Sequence, residues 1–198
     1  MSDSAAPAEG SRFREGAGRL CLDFVRTLRH RGKGEVSEEL ADPAALSAWV
    51  RQCGPCTTPP GTPPTQDEVR DARALREAVH ELLTAAMGAP EGGILNPLSA
   101  AARARLNQAA ALPVPIPRLG PSSTLTWHAD EPVPATLALV ARDALDLATS
   151  PALLPRLRPC ASPTCGALFL DHSRPGTRRW CSMDICGNRA KKSALRAR

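Results

Sequence analysis

The stretch "CASPTCGALFLDHSRPGTRRWCSMDIC", residues 160–186, holds four of the chain's seven cysteines, in two pairs. Each pair has the spacing C-x4-C, and fifteen residues separate Cys165 from Cys181. Two close pairs joined by a short connector let a chain offer four thiolates to one tetrahedral Zn²⁺. A complete sulfur shell leaves no open coordination position, so one structural Zn²⁺ is expected on Cys160, Cys165, Cys181 and Cys186. His172 is a less favoured substitute. Residues 156–198 contain few large apolar side chains, and a unit near 40 residues rarely folds without a staple. Zinc in such peptides contributes an apparent stabilisation of about 10–16 kcal/mol. Between the pairs, "ALFLDHSRPGTRRWC" reads as strand, turn, strand, with Ser173-Arg174-Pro175-Gly176 at the tip. After Cys186, "GNRAKKSALRAR" suits a helix. The parts predict a small treble-clef-like zinc finger.

Charge divides the chain at the same place. From Arg156 onward ten Arg and Lys face only Asp171 and Asp184, a balance of +8, while the remainder, with 15 basic and 18 acidic residues, is −3. Four thiolates and one Zn²⁺ bring the finger to about +6. Such asymmetry points to an anionic partner, most often nucleic acid. Arg174, Arg178 and Arg179 on the turn, with Arg189, Lys191, Lys192, Arg196 and Arg198 on the helix, are the expected phosphate contacts. Arg189, Lys192 and Arg196 recur at i, i+3 and i+7, one helical stripe. Asn188 either reaches a base edge or caps the last helix.

Residues 11–155 read as a mainly helical domain. "GRLCLDFVRTLRHRG" places Leu20, Phe24, Val25 and Leu28 at helical spacing and predicts a helix closing at Gly32. "DPAALSAWVRQCG" has Asp42 as N-cap, Pro43 at the first helical position and Gly54 past the end. "TQDEVRDARALREAVHELLTAAMG" opens with a Thr65–Glu68 capping box and shows a Val69, Leu75, Val79, Leu82, Leu83 stripe. "NPLSAAARARLNQAAAL" suggests a helix started by Asn96-Pro97. "VPIPRLGPSSTLTWH" reads as a short β-hairpin, and "PATLALVARDALDLATS" returns to helix. The expected class is therefore mainly α with a short β-hairpin, followed by the finger. "CGPC" at Cys53 to Cys56 has the spelling of a redox pair, but a helix leads into it and prolines follow, the reverse of what a lowered thiol pKa needs. No catalytic constellation stands out, so the protein is not expected to be an enzyme. The opening "MSDSAAPAEG" is polar and small, which predicts a disordered residue 1–10 segment and no signal peptide. No apolar run suits a membrane span. A cytoplasmic protein is expected.

At these residues the chain resembles a known family. "CASPTCGALFLDHSRPGTRRWCSMDICGNRAKK" is similar to the CGNR zinc finger, named for the run Cys186-Gly187-Asn188-Arg189. "GRLCLDFVRTL" and "DPAALSAWV" resemble the opening of the helical ABATE domain that this finger usually follows. The family commonly shows Asn where this chain has Arg26, and Ser-Arg-Asn where it has Ser173-Arg174-Pro175. The resemblance implies zinc on the four cysteines and a stress-induced transcription regulator that binds DNA. The leading reading of the residues is a regulator whose finger contacts duplex DNA while the helical domain senses a small-molecule effector or stress signal, or forms a homodimer. Two alternatives stay open from the residues themselves: an RNA-binding protein, and an interaction module docking its basic finger on an acidic partner. The scarcity of aromatic stacking platforms in the finger favours duplex over single strand.

Overall fold

The computed structural model describes residues 13–56, 62–89 and 97–196. The 1–10 segment, Asn96 and Arg198 lie outside the described residues, as does the side chain of Arg196. In the helical body, local chemistry sets the starts. Asp42 accepts the Ala45 N–H at 2.7 Å and opens α2 (Pro43–Cys53), with Pro43 where a missing N–H costs nothing. Thr65 and Glu68 form the expected reciprocal box at the start of α3 (Gln66–Met87). Helix α4 (Ala100–Ala111) starts later than the Asn-Pro reading: Ser99 is its cap, accepting from Ala102 N and tied by its own N–H to Glu81 at 2.7 Å. Helix α5 (Pro132–Thr149) packs with α3 and α4, and buries Val140, Ala144 and Leu147. Helix α5 also meets α2 and the short first helix α1 (Leu20–Val25), whose Phe24 ring tilts against Trp49 at 57°, with ring centroids 4.8 Å apart.

Helix α1 is shorter than expected. It ends at Val25 instead of running toward Gly32, because the Thr27 hydroxyl donates to the Phe24 carbonyl at 2.7 Å and diverts the backbone. Leu28 thus sits on strand β1 (Leu28–Arg29), antiparallel to β2 (Ser37–Glu38) with Leu28 opposite Glu38. Arg76 of α3 clamps this ribbon, forking onto Glu38 with two 2.6 Å bonds. The expected hairpin between α4 and α5 is present as β3 (Ile116–Leu119) and β4 (Leu125–His128), projecting with Ile116, Leu119 and Leu125 exposed.

The finger follows a 3₁₀ turn at Leu154–Arg156. Its strands differ from the sequence expectation. Strand β6 (Leu168–Leu170) pairs backwards with β5 (Leu157–Pro159), around the first cysteine pair, and the residues after Gly176 form no strand. Asp171 explains this. Its buried carboxylate accepts the Ser173 and Arg178 N–H groups, each at 2.9 Å, so the connector curls around one side chain instead of laddering. Helix α6 (Asn188–Arg196) continues from a π-turn at Met183–Gly187.

Finger and body share one core. Phe169 and Leu170 are fully buried, and the same apolar cluster runs from them through Leu22 and Phe24 to Leu83 and Leu147. The Leu170 N–H donates to the Ala17 carbonyl at 2.7 Å, and the His30 ring lies 2.6 Å from the Thr164 carbonyl. Gly166, at φ +68°, sits so close to the body that a Cβ there would fall 2.3 Å from the Arg31 carbonyl oxygen.

Candidate metal centre and nucleic-acid interface

Four short elements deliver the four sulfurs. The first cysteine pair turns on Cys160 N–H to Ala167 O (2.8 Å) and Cys165 N–H to Ser162 O (3.1 Å). The second is set by Ser182, which caps the π-turn by accepting from Ile185 N, while its carbonyl receives the Cys186 and Gly187 N–H groups. All four Sγ atoms lie within 4.8 Å of one another and are buried. The Cys165–Cys181 and Cys181–Cys186 sulfur separations are 3.6 and 3.7 Å. A Zn–S bond of about 2.3 Å in a tetrahedron requires sulfur atoms about 3.8 Å apart, so the cluster fits one Zn²⁺. The Cys181 N–H adds a 3.4 Å contact to the Cys160 sulfur, which helps hold a thiolate.

The four sulfurs act on one another's protons. Cys165 is drawn well down, chiefly by accepting from the Cys181 thiol, while that same bond raises Cys181. Burial pushes Cys186 up to about 11. Four thiolates this close together need a dication between them, which is the chemistry of a structural zinc site. His172 stands apart from the sulfurs, exposed, its Nε2 3.3 Å from the Gly18 carbonyl.

The expected phosphate contacts divide in two. Arg174, Arg179, Asn188, Arg189, Lys191 and Lys192 are exposed on the turn and on α6. Arg178 is not free for a phosphate. Its Nε donates to the Trp180 carbonyl at 2.8 Å, its NH2 to the Cys181 carbonyl, and its guanidinium lies 4.9 Å from the centre of the Phe169 ring. It braces the second cysteine pair. Asn188 is no N-cap either: the helical turn begins at Ser182, and the Asn188 amide donates back to the Asp184 carbonyl at 3.1 Å. Arg189 reaches the Thr164 hydroxyl at 3.0 Å, linking α6 to the first cysteine pair. Sequence reasoning missed the Asp171 hub and the Ser182 cap; Ser182 followed by Asp184 is an N-terminal signature that could have been found.

The CGPC run lies at the C-terminal end of a helix, as its sequence context predicts. Cys53 is the last residue of α2, at the negative end of the helix dipole, and burial pushes its thiol up to about 12. Among the described residues no helix is long and apolar enough to cross a membrane.

Residues 18–151 match the family model of ABATE, described as a "putative stress-induced transcription regulator", and residues 156–198 match the CGNR zinc finger. A search of the curated proteins gives no match. The chain belongs to the ABATE family and carries a CGNR zinc finger at its C-terminal end.

Proposed function

We propose that the protein is a cytoplasmic DNA-binding transcription regulator, not an enzyme. The observation that carries the reading is the set of exposed cations, Arg174, Arg179, Arg189, Lys191 and Lys192, on a finger whose backbone a metal would hold rigid. Rigid cations bind phosphates without the entropy of ordering a loop. Both aromatic rings of the finger are already covered, Phe169 by Arg178 and Trp180 by Arg179 at 5.1 Å from its ring centre. That leaves no stacking platform for single-stranded RNA and favours a duplex. The body supplies the regulatory half. A groove of about 410 Å³ between α3, α4 and α5 has Leu75, Val133 and Leu137 as floor and Arg105 and Gln108 at its rim, a size and lining suited to a small-molecule effector. The exposed apolar β3–β4 ribbon is the surface through which two copies would pair.

Selection of bound sequences from random duplex DNA with the zinc-loaded, full-length protein tests this, and a palindromic product would show a two-fold dimer. In parallel, log K should fall linearly with log salt. Removing one true phosphate contact, Arg179→Gln or Lys192→Gln, should flatten the slope by about 0.9. Unchanged slopes in both variants would reduce the basic surface to a solvated face.

A further inference from the structure

A small recess at the seam between body and finger is lined by Arg14, Arg26 and Arg29 on one side and by Cys165, Cys186 and Arg189 on the other. It measures about 20 Å³, room for one water-sized group and little more. Four guanidinium groups around so small a space require negative charge nearby. Two have it. Arg26 contacts Asp23 at 3.4 Å and the Glu15 carbonyl at 3.1 Å, and Arg29 is paired with Glu39. The other two lack it. Among the described residues, Arg189 has only the neutral Thr164 hydroxyl, and half-buried Arg14 has no hydrogen-bond or ion-pair partner.

Two unpaired positive charges therefore face the sulfurs. Four thiolates around Zn²⁺ carry a formal charge of −2, which balances Arg14 and Arg189 and leaves nothing for a dissolved anion to neutralise. Arg14 feels both influences: burial and the neighbouring Arg29 and Arg26 lower its pKa, while Cys186 and Cys165 act to raise it. We propose that Arg14, from the body, and Arg189, from the finger, are the counter-charges of the zinc–thiolate group, so that metal binding and docking of the finger on the body form one linked equilibrium. With the metal bound, the seam is neutral and closes. Without the dication that balance is lost, Arg14 is left beside Arg26 and Arg29 with its charge unmatched, and docking weakens. Linkage makes this reciprocal: docking raises zinc affinity by the factor by which zinc favours docking.

The test uses the full-length protein and competition for zinc with a chromophoric chelator. Arg14→Gln should bind zinc on the order of tenfold more weakly, within the usual range of coupling between sites, whereas Arg14→Lys, which keeps the charge, should stay within about twofold of wild type. At saturating zinc, the Leu170 amide, which crosses the seam to Ala17, should exchange with solvent faster in Arg14→Gln than in Arg14→Lys. Wild-type zinc affinity in Arg14→Gln would overturn the proposal, and so would equal losses in both variants, which would show a packing role. Should Arg14→Gln fail to fold, Arg189→Gln on the exposed face of α6 carries the same expectation and the same refutation.

Discussion

Asp171 shows how much one side chain can decide. Accepting two backbone N–H groups converts the expected second strand into a loop that returns the chain to Cys181. Its carboxyl lies below the usual range, first through the adjacent Ser173 side chain and then through the Ser173 and Arg178 backbone donors. The Ser173 hydroxyl makes no well-aligned bond, so the two backbone donors are the contacts that hold the loop. A carboxylate can accept from both, whereas an amide turns its NH₂ toward one of them and leaves that donor unsatisfied. Asp171→Asn should therefore loosen the second cysteine pair and speed zinc release to a chelator. The folded-state pKa is depressed, so the stabilisation is present above the unfolded Asp value of about 3.9 and is lost as pH falls through the folded value. An Asn variant that releases zinc at the wild-type rate would leave Asp171 a bystander. Nothing in the spelling of "LDHSRPG" distinguishes this hub from an ordinary turn; the donors it collects lie two and seven residues away, and only the folded loop brings them together.

At the scale of elements, legibility followed the range of the interaction. The caps at Asp42 and Thr65 are written within four residues and were readable from sequence. The β1–β2 ribbon was not, because two-residue strands carry no periodicity and depend on Arg76, which is 38 residues from Glu38. That clamp invites a direct test. Arg76 is only 2 % exposed, and Glu38 neutralises it with a two-bond fork. Burial acts to raise the Glu38 pKa, but the Arg76 fork outweighs it and brings the group below its ordinary value; Glu77 follows the same course beside Arg31. Glu38→Gln should cost about 2–3 kcal/mol in urea unfolding, less than the ~3–5 kcal/mol of a fully buried broken pair because Glu38 is partly exposed and Glu77 also meets Arg76. Both carboxylates are depressed on folding, so their contribution is present above about pH 4.3 and lost as pH falls through the folded values. The variant should consequently show a shallower acid limb than wild type. Equal stability at pH 7 and an identical acid limb would mean that the ribbon holds without the clamp.

For the whole molecule, the sequence suggested a body with a separable basic appendage, and the structure joins them. Residues far apart in the chain make the seam: Ala17 with Leu170, His30 with Thr164, Gly166 against Arg31. Such contacts leave no local trace in composition or spacing. Their consequence is thermodynamic. Because Leu22, Phe24, Phe169 and Leu170 belong to one apolar cluster, loss of the finger's fold exposes part of the body's core, and the two should unfold together. Zinc bound to the cysteines should then stabilise the whole chain. At free zinc a thousandfold above Kd, binding contributes about 4.1 kcal/mol. For a protein of this length each kcal/mol moves Tm by roughly 2–4 °C. Calorimetry of the full-length protein should show a single transition that falls by roughly 8–16 °C on chelation. Two transitions, with the larger one unmoved by chelation, would show a body that folds without regard to its finger. In that case the shared core would contribute packing but no cooperativity, and any signal received in the α3–α4–α5 groove would need another route to the basic surface.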